Sequence, residues 1–169
     1  YQFFKNALPH SIEKRTEYMN ELWESSKIDK EEFATNWYES QVNSTEGVSK
    51  RFTAHQQLGK LPTDFVDSKM NIVIFNSSED ETKVLEEWQF DAYKHQNQAI
   101  EKIVNHFKDN DSVQFYLRVH PNLKDVDSIQ TREINNFQFE NLKVIDGHSD
   151  ISTYTLVKKA DKVICFGST

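Results

Sequence analysis

The chain has 169 residues, 37% of them hydrophobic and 12% aromatic, enough for one globular core with an extension. Its formal charge of -7 and sequence pI near 5.4 exclude general nucleic-acid binding, which needs a basic surface, but leave room for a local cluster holding one small anion. No apolar run approaches the ~20 residues of a membrane span, and the single cysteine, Cys165, excludes an intrachain disulfide.

Residues 1–62 read as a helical segment. Ser11 can cap a first helix whose Ile12, Met19, Leu22 and Trp23 share one face. Asp29, with Glu32 three residues later, resembles a capping box and opens a second helix with Phe33, Trp37 and Gln41 along one stripe. A third helix is expected from about Ser49 to Leu58, closed by Gly59 and Pro62. Packing against the following domain is the expected use of Trp23, Phe33, Trp37 and Tyr38. With neither a span nor a basic region followed by an apolar one at the N-terminus, the expectation is a cytoplasmic protein.

Residues 63–169 alternate differently. NIVIF, at 71–75, is a continuous apolar run of the kind a strand buried on both faces requires. A helix from about Asp91 to Lys108 follows, with Asp91 as candidate cap and Ile100, Ile103, Val104 and Phe107 at helical spacing. Val113 to Val119 is the second strand. The stretch from Lys124 to Phe137 fits a helix loosely, and Leu142 to Ile145 is a short third strand. Asp150 is the candidate cap of a helix reaching about Lys159, and VICF, at 163–166, is a fourth strand in which Cys165 reads as a small buried hydrophobe. Strand and helix in regular alternation predict an α/β fold with an open parallel sheet.

In such sheets ligands bind outside the carboxyl ends of the strands. Each predicted strand stops there on polar groups. The first ends in Asn76, Ser77, Ser78 and Glu79, the second in Arg118, His120 and Pro121, the third in Asp146 to Asp150, and the fourth in Gly167, Ser168 and Thr169. Hydroxyls, imidazoles and a guanidinium on one rim suit a phosphate or a nucleotide, and would stabilise a departing phosphate. Pro121 disfavours a helical backbone at His120 and so aims the imidazole. The consecutive acids Glu79, Asp80 and Glu81 read as a solvated loop, so no metal is expected. Neither a G-x-G-x-x-G nor a phosphate-binding G-x-x-x-x-G-K-[ST] loop is present, nor a G-x-S-x-G elbow.

IVIFNSSEDE, followed by Trp88 and Gln96, then LRVHPN, then ADKVICFGST, resembles the C-terminal, donor-binding half of bacterial capsule and surface polysaccharide glycosyltransferases of the two-domain GT-B type. The similarity covers roughly residues 70–169 and extends more distantly to bacterial sialyltransferases and polyol-phosphate polymerases. It implies a Rossmann-like sheet and no cofactor beyond a nucleotide-sugar donor, CMP-linked in some relatives. Carried over by motif, His120 and Pro121 match a His-Pro pair whose histidine contacts the donor phosphate and helps the nucleotide leave. Ser168 and Thr169 match a Ser-Thr pair that holds the same phosphate. Ser77, Ser78 and Glu79 match the loop after the first strand, near the interdomain cleft, and Arg118 is a further candidate for the phosphate or cleft. The family's motif continues into a Glu-Ala helix and a Gly-Lys-Pro strand that this sequence lacks, and its acceptor domain is absent too. The resemblance thus implies an inactive fragment, reaching a polysaccharide or lipid-linked acceptor only through a missing domain, with self-association expected at the truncated sheet edge. Two rivals stay open: transfer of a polyol phosphate from a cytidine nucleotide, and a non-catalytic α/β interaction module. Convergence of His120, Ser77 and Ser168 on one anion-sized space would separate an enzyme site from a module.

Overall fold

The computed structural model describes residues 11–43, 52–79 and 92–166. Four runs rich in β-branched and aromatic residues form the sheet: β1 (Met70–Phe75), β2 (Val113–Arg118), β3 (Leu142–Ile145) and β4 (Lys162–Cys165). All pairings are parallel, in the order β3-β2-β1-β4, with Ile72 opposite Phe115 and Lys162, and Phe115 opposite Leu142. The chain thus steps outward from β1 to β3 and then returns to the other side of β1. That reversal creates a topological switch point between β1 and β4, the place where open α/β sheets bind ligands. The expected α/β class is the one found.

The period-2 alternation of the strands divides the core in two. On one face Ile72, Ile74, Val113, Phe115, Leu117 and Leu142 pack with Ala99, Ile100 and Val104 of α3 (Gln96–His106) and Ile134 of α4 (Ile129–Asn135). On the other, Val73, Tyr116 and Ile145 pack with Leu156 of α5 (Thr153–Lys159), backed by Leu61, Phe65 and Ile151. Helices α3 and α4 connect strands running outward from β1, whereas α5 serves the return crossover. Right-handed connections put helices of opposite crossover sense on opposite faces, which is the division observed.

Several expected boundaries shift for local reasons. Helix α3 begins at Gln96, later than Asp91, which lies outside the described residues; residues 92–95 are not helical. The expected helix over 124–137 shrinks to α4, because Asp125 takes a left-handed φ of 60° and Ser128 caps the helix through a capping box with Thr131. Ser152, rather than Asp150, caps α5 by accepting the Thr155 N–H at 3.1 Å. Of the expected helix at 49–58, residues 52 and 53 are helical, 54–60 are turns and a bridge, and 49–51 lie outside the described residues. Gln57 makes a parallel bridge to Ile151, and Gly59 turns the chain at φ 89°, which a glycine adopts without strain. Cys165 is exposed, contrary to its expected burial, because β4 is an edge strand; Val163 is exposed on the same strand.

By its contacts the chain divides into Tyr1–Ser44 and Thr45–Thr169, so residues 52–62, grouped by sequence with the helical segment, belong with the sheet. The first unit contains α1 (Ile12–Ser25) and α2 (Lys30–Asn43). Both expected caps are present. Ser11 Oγ accepts the Lys14 N–H, and Asp29 Oδ1 accepts the N–H groups of Glu31 and Glu32 at 3.1 and 3.0 Å. Neither helix buries a residue. Within this unit Lys30 Nζ stands 4.8 Å over the Trp23 ring. Among the described residues no helix is long and apolar enough to cross a membrane.

Candidate functional site

Alternation along β2 continues past its end. Arg118 and His120 fall on the α5 face, while Val119 between them packs into the opposite core. At this point a cavity of about 290 Å³ opens over the carboxyl ends of β1, β2 and β4. Phe75, Asn76 and Cys165 line its floor; Arg118, His120 and Pro121 line one side; Tyr154 and Val157 of α5 face them; and Phe52, Thr53 and Gln56 close it. Among the described residues that line it none is an aspartate or glutamate, although the chain carries 27 of them.

His120 is held at both its backbone and its ring. Its N–H donates to Asn76 Oδ1 at 2.8 Å, tying the end of β2 to the end of β1. Its backbone is extended (φ -59°, ψ 133°), as the following proline requires, and Pro121 starts a short 3-10 turn, Pro121–Leu123. Its Nδ1 accepts the Asn122 N–H at 3.1 Å. A nitrogen that accepts cannot carry the proton, so the neutral ring bears it on Nε2. The Phe52 ring lies 5.8 Å from the imidazole.

Arg118 is buried, with a strut's contacts. Its Nη1 donates to the Asp146 carbonyl at 2.7 Å and its Nη2 to the Ser149 carbonyl at 3.0 Å, fixing the loop after β3. Burial lowers its pKa, an effect that the nearby Asp146 charge opposes. The loop after β3 is pinned a second time through His148, whose Nε2 lies 3.1 Å from Asp125 Oδ1. Gly147 sits where a Cβ would come within 3.3 Å of Lys124 Cβ and 3.5 Å of the His120 carbonyl, so the two loops approach as closely as glycine permits.

The strap from Phe52 to Leu61 that closes the cavity is tied to the segment leading into α5. Asp150 Oδ2 accepts from Gln57 Nε2 and Lys60 Nζ, both at 2.6 Å, and Gln56 Oε1 accepts the Thr153 N–H at 2.7 Å. The Lys60 hydrogen bond holds the Asp150 pKa below its ordinary 3.8. A lowered carboxyl pKa stabilises the fold above the unfolded value, and that contribution disappears as pH falls through the folded value. The protection factors of the Gln57 and Lys60 amides, with the intrinsic pH dependence of exchange divided out, are therefore expected to stay constant from neutral pH to about 4 and to fall below it. In Asp150→Asn that loss of protection in acid should be absent.

Ser77, Ser78 and Glu79 do not line this cavity. They belong to a buried polar network on the other side of β1. The Ser77 N–H donates to Gln96 Oε1 at 3.0 Å, Gln96 Nε2 to Ser77 Oγ at 2.7 Å, and Gln130 Nε2 to the Ser77 carbonyl at 2.8 Å. Glu79 Oε1 accepts the Gln96 N–H at 2.7 Å, capping α3 from outside its own segment, and Glu79 Oε2 lies 3.2 Å from His95 Nδ1. Glu79→Ala is accordingly expected to cost about 1–2 kcal/mol in urea denaturation while leaving ligand binding at His120 unchanged. Ser168 and Thr169 lie outside the described residues. Phe166, just before them, donates its N–H to the Phe75 carbonyl at 2.9 Å, in line with β1.

Of the residues singled out from sequence, then, His120, Pro121 and Arg118 share one cavity and Ser77, Ser78 and Glu79 do not. The residues missed are Asn76, Phe52 and Tyr154. Asn76 had a signal, being the first polar residue after an apolar strand. Phe52 and Tyr154 had none, since only the strap and the return crossover bring them to the strand ends. Compared with family models, with curated proteins and with solved structures, the chain finds no match.

Proposed function

We propose that the sheet domain is the donor-binding part of a glycosyltransferase that takes a sugar from a nucleotide-activated donor during surface polysaccharide synthesis. One observation carries this reading. In a chain of net charge -7, the cavity at the switch point has no carboxylate among its described lining residues, and it is lined by Arg118 and by His120, whose Nδ1 accepts the Asn122 N–H. An anion entering here meets donors.

Chemically, transfer breaks the bond between the anomeric carbon and the donor phosphate oxygen, with the electron pair staying on the phosphate, while an acceptor hydroxyl oxygen bonds to that carbon and gives its proton to a base outside this domain. Charge therefore develops on that oxygen in the transition state. The Nε2–H of His120 is the group to meet it, already oriented by Asn76 and Asn122, so that little reorganisation is needed as the charge appears. Phe52 and Tyr154 offer aromatic surface for the remainder of the donor. Ser168 and Thr169 enter only through the motif resemblance, as second holders of the phosphate. A polysaccharide or lipid-linked acceptor would approach from another domain. A cytidine-nucleotide polyol-phosphate transferase would use the same histidine, and the identity of the nucleotide bound distinguishes the two.

A second reading, a non-catalytic α/β interaction module, is favoured by a specific set of contacts. Arg118, Ser77 and Glu79 all spend hydrogen bonds on the fold itself, and the His120 ring caps a turn. Ligand-observed NMR with CMP, CDP, UDP and GDP tests between them. The transferase reading expects one nucleotide to bind and His120→Ala to abolish its binding. Absence of binding by all four would leave the module.

A further inference from the structure

Resting on the nucleotide reading above, we propose that Asn76 is a ligand-binding residue, its Nδ2 donating to a phosphate oxygen of the nucleotide at the floor of the cavity. Two observations that the motifs do not contain point to it. The first is orientation. An asparagine amide can ordinarily be turned either way, but here the His120 N–H points at one of its two terminal atoms from 2.8 Å. Only oxygen can accept that proton, so the other atom must be the NH2 group.

The second is an unmet need. Asn76 is fully buried, with 0% of its surface exposed, and its Nδ2 has no hydrogen-bond partner among the described residues, while the residue lines the cavity. Buried polar atoms are nearly always paired, because leaving one without a partner forfeits its hydration with no return. An acceptor supplied by a ligand removes that cost. The surroundings select the kind of acceptor: Arg118 and His120 line the same space and no carboxylate among the described residues does, which favours an anionic oxygen over a neutral one. Asn76 also stands at the end of β1, between the ends of β2 and β4. One amide thus fixes the histidine through its oxygen and meets the phosphate through its nitrogen, so that both donors arrive in register.

Asn76→Asp separates these two tasks. It keeps an oxygen for the His120 N–H and replaces the donor with a second carboxylate oxygen that repels phosphate. Because a buried carboxylate costs stability whatever Asn76 does, the readout is the affinity of the folded variant and not its stability. The experiment titrates the 15N-labelled chain and its Asn76→Asp variant with CMP, CDP, UDP and GDP and with the parent nucleosides, following the Asn76 side-chain NH2 resonances. The expected result is that the nucleotide that binds shifts those resonances, that its nucleoside does not, and that the variant binds about tenfold to a hundredfold more weakly. Should a nucleotide bind while the Asn76 NH2 signals stay in place and the variant keeps wild-type affinity, the inference is overturned and the nucleotide reading survives. Failure of all four nucleotides to bind the wild-type chain overturns both. If the variant does not fold, the wild-type NH2 signals alone decide.

Discussion

Arg118→Ala is expected to lower the unfolding free energy by about 3 kcal/mol, since it removes two charge-assisted hydrogen bonds, each worth roughly 1.5–3 kcal/mol. The loss falls on two backbone carbonyls, Asp146 and Ser149, that the guanidinium reaches from the neighbouring strand. Arg118→Lys should recover only part of it, because an ammonium presents no planar fork and cannot span both carbonyls in the same geometry. The urea midpoint measures the effect. In addition, amide exchange in residues 146–149 should accelerate more than exchange in β1, because it is the loop after β3 that loses its strut.

Phe115→Ala is expected to cost more, about 4 kcal/mol, as befits a fully buried aromatic whose removal leaves a cavity. Phe115 sits at the centre of the sheet, flanked in register by Ile72 on β1 and Leu142 on β3, with the Phe107 ring 5.8 Å away. Nothing small can refill that space, since the neighbouring residues are themselves strand or helix residues with fixed backbones. Phe115→Leu should retain more than half of the lost stability. Chemical denaturation of the two variants side by side checks the order. In this domain such a loss is a large part of the ~5–15 kcal/mol that folded proteins hold in reserve.

The strands were legible because they are continuous apolar runs. NIVIF and VQFYLRV can be buried on both faces, and a parallel sheet is the structure that does so. The site was legible in half. That Arg118 and His120 end a strand could be read directly, and period-2 geometry then puts them on one face. That Ser77 and Glu79 would be turned inward could not, because their partners, Gln96 and Gln130, are 19 and 53 residues from Ser77 and 17 and 51 from Glu79. Polar residues at a strand end look alike in sequence whether they meet a ligand or each other. The start of α3 was misplaced for the same reason. Its first N–H groups find Glu79, a carboxylate outside the local sequence, so a cap sought among the adjacent residues is sought in the wrong place. Asp150 shows the converse: a residue with a good capping side chain is drawn off to Gln57 and Lys60, and Ser152 takes its place.

The central claim is that the space over β1, β2 and β4 binds the nucleotide of an activated sugar. Backbone chemical-shift mapping of the 15N-labelled chain with the nucleotide that binds best tests it most directly, because it locates the ligand. The prediction is that the shifts cluster on Phe52, Asn76, His120 and Tyr154 and leave undisturbed a second pocket, on the α3 and α4 side, lined by Ser78, His95 and Ser128. Shifts confined to that second pocket, or no shifts at all, would contradict it.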